Sequence, residues 1–298
     1  MDIVMLGHSA AGKTTYVSLM YAAMREGVEG LSLRAEDPYA HRSLMRAAEA
    51  VLRGHYPPAS DQRAVFDLVL QHNGRDVFPF RWRDYRGGTL LERAGTSPQA
   101  AQLHEDLTQA QGIILFADAP RLLNHASAAG EVRRMTVHVL RALQARGEAL
   151  TPVVLTLTKC DLVDMDDEGV LARLIEPFQQ LIDGIAATEH LFGALVPVSC
   201  GPSPVNVAVP VLWSLHFGVV GRAMQLRASA DERFTAARQA AAKDTLGDRI
   251  SSWWKSEPSW AAISARHQLE AQAELARLEP LAEPAERLGS LLEDVASF

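Results

Sequence analysis

The chain has 298 residues, 48% hydrophobic and 22% charged, which suits one large α/β domain with an appendage, or two small domains. A net charge of −7 without any run of Lys or Arg argues against a nucleic-acid partner, whose phosphates need a basic footprint. No stretch has the apolar length of a membrane span, no signal peptide opens the chain, and two cysteines make neither a disulfide framework nor a zinc site, so a cytosolic protein is expected.

Asp2 to Leu6 is a short run of Ile, Val, Met and Leu, as a buried strand requires. Gly7-His8-Ser9-Ala10-Ala11-Gly12-Lys13-Thr14 follows at once and satisfies G-x-x-x-x-G-K-[ST], and apolar residues then recur at helical spacing from Lys13 to Met24. Strand, loop and helix in that order are the context in which this motif binds phosphate. Consecutive backbone N–H groups at a helix N-terminus would wrap the β-phosphate, with Thr15 behind them. Gly7 and Gly12 keep a Cβ out of the way. Lys13 would neutralise β/γ oxygens, and the Thr14 hydroxyl would ligate Mg²⁺. In that setting His8 serves through its backbone.

Residues 39–53 read as a second helix ended by Gly54, and 56–60 as a loop. The runs Arg63–His72 and Asp76–Arg83 flank Asn73-Gly74, the pair that a tight type I′ hairpin favours. The second run leads into Asp84-Tyr85-Arg86-Gly87, a D-x-x-G element. Asp84 would hold Mg²⁺ through a water, and the Gly87 N–H would meet the γ-phosphate and sense its presence. Arg86, inside the same segment, is a candidate cis arginine.

Three more apolar strands, Gly112–Ala117, Val153–Leu157 and Leu195–Val198, alternate with helical stretches, which implies a mostly parallel sheet covered on both faces. Asp118 ends the first of these. As the metal acid Asp84 is preferred, because it precedes the Gly that a γ-phosphate sensor needs. Thr158-Lys159-Cys160-Asp161 follows the second strand. A carboxylate at Asp161 can accept both the guanine N1–H and the 2-amino group, neither of which adenine offers. The aliphatic stem of Lys159 can lie over the base plane. Val198-Ser199-Cys200 ends the third strand, and the backbone of Ser199 and Cys200 would touch the guanine oxygen. Cys160 and Cys200 thus flank the base, as small fillers or as a redox-sensitive pair.

This ordered set, 7–14, 84–87, 158–161 and 198–200, resembles the TRAFAC class of Ras-like P-loop GTPases over about residues 1–221. The stretch around Trp82 and Asp84, with Pro210-Val211-Leu212-Trp213, is similar to bacterial members placed in multi-gene conflict systems. The resemblance implies a three-layer α/β sandwich with one antiparallel hairpin strand, GTP or GDP with Mg²⁺ as ligands, unidentified effector or regulatory proteins, and nucleotide-dependent dimerisation as one mode of association. The sequence departs from the pattern in four ways. The span from Lys13 to Asp84 is long, and the helix at 39–53 is the expected insert. The switch I threonine has no clear match, with Ser60 as its best substitute for Mg²⁺. Gly88 stands where Ras-like proteins carry a water-orienting Gln, so slow intrinsic hydrolysis is expected; Gln62, Arg86 or a partner's group could compensate. Ala10 replaces the Asn of potassium-activated members.

Beyond about residue 222 the strands stop and the composition turns to Ala-rich helix, with breaks expected around Trp253–Trp260, at Pro280 and at Pro284. Residues 262–298 hold three basic and seven acidic residues, no stripe for anionic lipid. Trp253, Trp254 and Trp260 either anchor an interface or pack back on the chain. The expected function is a GTP-hydrolysing switch. A non-hydrolysing GTP-binding adaptor and a P-loop ATPase or kinase are the alternatives.

Overall fold

The computed structural model describes residues 1–57, 64–85, 98–147, 149–245 and 258–298, with backbone only at 99 and 100. The chain divides into two compact units, residues 1–218 with 287–298, and residues 219–286.

The first unit is a three-layer α/β sandwich. Its strands are β1 (Asp2–Gly7), β2 (Leu31–Ala35), β3 (Ala64–His72), β4 (Arg75–Asp84), β5 (Gly112–Asp118), β6 (Thr151–Thr158) and β7 (Leu191–Pro197), in the sheet order β2-β3-β4-β1-β5-β6-β7. Only β3 runs antiparallel to its neighbours; β4, β1, β5, β6 and β7 are mutually parallel. Every residue of β5 and β6 is buried, as strands covered on both faces require. Around them pack α1 (Lys13–Glu26), α2 (Pro38–Leu52), α3 (Pro98–Gln109), α4 (Ala119–Asn124), α5 (Ala126–Gln144), α6 (Glu168–Ile175) and α7 (Gln179–Ala186). The core on one side of the sheet joins Leu115 and Leu155 to Val132, Val139 and Phe178.

The hairpin turn is as the sequence predicts: Asn73 and Gly74 have φ of 49° and 77°, the left-handed pair of a type I′ turn. The helix expected at 39–53 spans Pro38–Leu52, and the Asp37 carboxylate caps it by accepting from the Tyr39 and Ala40 N–H groups at 2.9 and 3.2 Å. What sequence reading lacks is β2. Leu31, Leu33 and Ala35 are buried while Ser32 and Arg34 are half-buried, the period-2 alternation of a strand too short to stand out. The long span before Asp84 therefore holds a strand as well as the expected helix.

The tail differs from expectation in two respects. Val209–Lys243 (α8) and Trp260–Leu291 (α9) are long helices, and α9 runs through Pro280 and Pro284. Each proline removes one backbone bond, yet Leu281 and Pro284 are buried, and packing carries the helix on. Residues 287–298, assigned from sequence to the appendage, belong instead to the first unit. There the Gly193 and Leu195 N–H groups donate to the Phe298 and Ala296 carbonyls at 3.0 and 2.9 Å, and Phe298 N–H returns a bond to Gly193 at 3.1 Å. The second unit comprises the remaining parts of α8 and α9. Its helices are tied by Ser264 Oγ donating to the Ala237 carbonyl at 2.9 Å, by the Arg233–Glu270 ion pair, and by Lys243 Nζ lying 4.8 Å from the Trp260 ring centre. Trp253 and Trp254 lie outside the described residues.

Candidate nucleotide site

Strand pairing sets the site. The registers Met5↔Asp84, Gly7↔Phe116 and Asp118↔Thr158 bring the carboxyl ends of β1, β4, β5 and β6 to one edge of the sheet. The order places β1 between β4 and β5, so the crevice where ligands of open α/β sheets bind opens at the end of β1.

The loop 7–14 occupies that position. Ala10 and Gly12 have φ of 62° and 81°, Ala11 N–H donates to the His8 carbonyl at 3.3 Å, and Tyr16 N–H starts α1 by donating to Gly12 at 2.8 Å. Alternating hand along the loop is what turns successive N–H groups toward one concavity. The two glycines serve different ends. A Cβ on Gly7 would come within 2.8 Å of the Phe116 carbonyl oxygen, a backbone atom that cannot step aside; Gly12 has room but needs its left-handed φ. Ser9 and Ala10 are exposed, Thr14 is half-buried on the first turn of α1, and Thr15 is buried.

Lys13 is buried, and its ammonium donates to the Gly7 and His8 carbonyls at 2.9 and 3.2 Å. Burial lowers its pKa, with the Asp84 charge opposing. Asp84 is 5% exposed, and burial pushes its pKa from 3.8 up to about 6 against the pull of Lys13. Its Oδ1 has no hydrogen-bond partner among the described residues. A buried carboxylate oxygen with no hydrogen-bond partner among the described residues suits a hard divalent cation. Among the described residues no group of three His, Cys, Asp or Glu could by itself hold a metal ion. The other residues assigned to the phosphate end, Ser60, Gln62, Arg86, Gly87 and Gly88, lie outside the described residues.

The base end is built on the turn after β6. Lys159 takes a left-handed φ of 58°, and a 3₁₀ turn spans Cys160–Leu162. This leaves the Asp161 carboxylate exposed, with Ser199 Oγ donating to its Oδ1 at 2.9 Å. Ser199 itself is fixed by paired backbone bonds with Val205 at 3.1 and 3.0 Å. The two loops are joined directly: Cys160 N–H donates to the Val198 carbonyl at 3.2 Å. Burial raises the thiol pKa of Cys160 to about 11 and of Cys200 to about 12, which favours the protonated form of both.

Three contacts went unforeseen from sequence. The Thr158 hydroxyl lies 3.0 Å from the Ala11 carbonyl and 3.2 Å from that of Ala117, fastening the base loop to the phosphate loop. Asp118 is 5% exposed; it caps α4 by accepting from the Arg121 N–H at 2.9 Å and pairs with Lys159 Nζ at 2.5 Å. His8 contributes its ring as well as its backbone: Nδ1 bonds the Ser9 carbonyl at 2.7 Å, and Nε2 accepts the Asp118 N–H at 3.4 Å. Burial lowers the His8 pKa, consistent with the neutral ring these two bonds require. An acidic residue closing a buried strand and a polar ring inside a glycine loop were the available signals for these ties.

A family model described as Double-GTPase 2 matches residues 3–191. A comparison with curated proteins finds no match. Among solved structures, the chain is similar to the signal recognition particle receptor SRb-GTP/SRX complex from Chaetomium thermophilum, at 15% identity and a TM-score of 0.44 over 73% of this chain and 97% of that one. It is also similar to the S. cerevisiae Ski7 GTPase-like domain bound to GTP, at 13% identity and a TM-score of 0.42 over 67% of this chain and 42% of that one.

Proposed function

The chain belongs to the Double-GTPase 2 family, and on that premise we propose that it is a guanine-nucleotide switch of the TRAFAC class, hydrolysing GTP to GDP and phosphate with Mg²⁺. The observation that carries this reading is the convergence of loop 7–14, Asp84 and the turn bearing Lys159 and Asp161 on one end of the sheet. In the bound state the loop amides and Lys13 would hold the phosphates, while Thr14, and Asp84 through a water, would hold Mg²⁺. Asp161 accepts from the guanine edge, and its Ser199 bond fixes the carboxylate for that purpose. The metal would supply neutralisation of phosphate charge there. Gly88 provides no side chain to orient water, so intrinsic turnover is slow and set by a regulatory partner; nucleotide-dependent pairing of two copies is one route to such a partner. Neither nucleic acid nor membrane enters this reading, and it places the protein in the cytosol; no helix among the described residues is long and apolar enough to cross a membrane. A role in a multi-gene conflict system fits a switch of this kind.

Gly88 also favours a second reading, an adaptor that keeps GTP as a structural ligand. Single-turnover hydrolysis of bound GTP separates the two. Titration with GDP, GTP and ATP, repeated on Asp161→Ala, tests the base assignment: guanine preference that survives loss of the carboxylate would sink it.

A further inference from the structure

The base loop and the phosphate loop are connected twice, and one connection runs through a residue that lies in neither loop. Asp118 closes β5. Its carboxylate divides between two tasks: Oδ1 accepts from the Arg121 N–H and caps α4, while Oδ2 faces Lys159 Nζ at 2.5 Å. Its backbone N–H meets the His8 ring at 3.4 Å, and the other nitrogen of that ring bonds the Ser9 carbonyl within the phosphate loop. The second connection, Thr158 to Ala11, closes the circuit.

Exposure shows where the constraint falls. The Asp118 side chain is 8% exposed and fixed by its cap, whereas that of Lys159 is 39% exposed. A half-exposed lysine ordinarily samples many rotamers, and ordering it costs side-chain entropy. Here a buried, immobile carboxylate holds the ammonium, and the backbone beneath already has the left-handed φ of 58°. The methylene stem between those two fixed points is preorganised.

We propose that Asp118 is a positioning residue for the purine: it sets the Lys159 stem as a shelf beside Asp161 before nucleotide arrives, and through His8 it ties that shelf to the phosphate loop. The inference rests on the guanine-nucleotide reading above. Base recognition and phosphate binding are then coupled, because displacing Asp118 disturbs both.

The two functions of Asp118 can be separated chemically. Asn caps a helix about as well as Asp, so Asp118→Asn keeps α4 and the backbone bond to His8 while removing the charge that holds Lys159. GDP affinity and dissociation rate are measured with Mg²⁺ on the full chain for the wild type, Asp118→Asn, Lys159→Met and the double variant, with thermal midpoints and an Asp161→Ala control. The expected result is an unchanged midpoint and a loss on the order of 5–20-fold in GDP affinity for Asp118→Asn, seen mainly in dissociation, with less than about 2-fold further loss when it is added to Lys159→Met. Asp118→Asn binding within about 2-fold of wild type, or losing as much in the Lys159→Met background as alone, overturns the proposal. A wild type that prefers GDP over ADP, together with an unaffected Asp118→Asn, overturns this inference alone. A wild type without that preference overturns it together with the guanine reading.

Discussion

A buried carboxylate oxygen with no hydrogen-bond partner among the described residues is costly, and Asp84 carries one. Its pKa of about 6, against an ordinary 3.8, means that the folded state retains a proton between those values which the unfolded chain has already released. Stability from this group is therefore greatest below pH 3.8, falls as pH rises toward 6, and stays low above it, with a difference of about 3 kcal/mol at most. Asp84→Asn removes the penalty. In the absence of nucleotide and Mg²⁺, the variant melts higher than wild type at pH 7.5 and level with it near pH 4, by scanning calorimetry. A pH-independent difference would mean that burial is not the source of the shift. Under the proposed function the same substitution weakens Mg²⁺-dependent GTP binding.

Among the elements, the seventh strand shows how a residue far from the nucleotide constrains the fold. Gly193 lies on β7 where the Phe298 ring packs, and a Cβ there would overlap that ring. Gly193→Ala expels the ring and with it the pairing of residues 296–298, at a cost of about 1–3 kcal/mol. The Leu195 amide, which donates to Ala296, then exchanges faster by hydrogen-exchange measurement, while Phe298→Ala combined with Gly193→Ala is no worse than Phe298→Ala alone. An unaltered Leu195 exchange rate would contradict the pairing. Neither feature was legible in the sequence, because an edge contact between residues a hundred positions apart leaves no local pattern. The central strands were legible, since full burial writes itself as unbroken apolar runs in β5 and β6, and the I′ turn was fixed by Asn73-Gly74. The places of loop 7–14 and of the turn bearing Asp161 at strand ends were readable too, because each directly follows an apolar run. Asp118 and the His8 ring were not, because their partners come from other strands. Pro280 and Pro284 misled, since the local rule they obey was overridden by burial of Leu281 and of Pro284 itself.

For the whole molecule, ligand binding to the folded state alone raises stability by mass action, by about 2.7 kcal/mol at a hundred times the dissociation constant. GDP with Mg²⁺ should lift the thermal midpoint of the full chain by several degrees, while ADP at equal concentration leaves it in place, by differential scanning fluorimetry. Equal shifts would count against guanine selectivity. The second unit brings a separate consequence, since residues 219–286 leave the first unit and the chain comes back to it at 287. The second unit is thus an excursion within the sequence of the first. A single protease cut in it would yield two bands under denaturing conditions but one particle in native electrophoresis, the short fragment being retained by its backbone bonds to β7. Loss of that fragment on nicking would show that its backbone bonds to β7 do not hold it. Its retention would mean that residues 219–286 can be shortened or replaced without altering the order of the sheet.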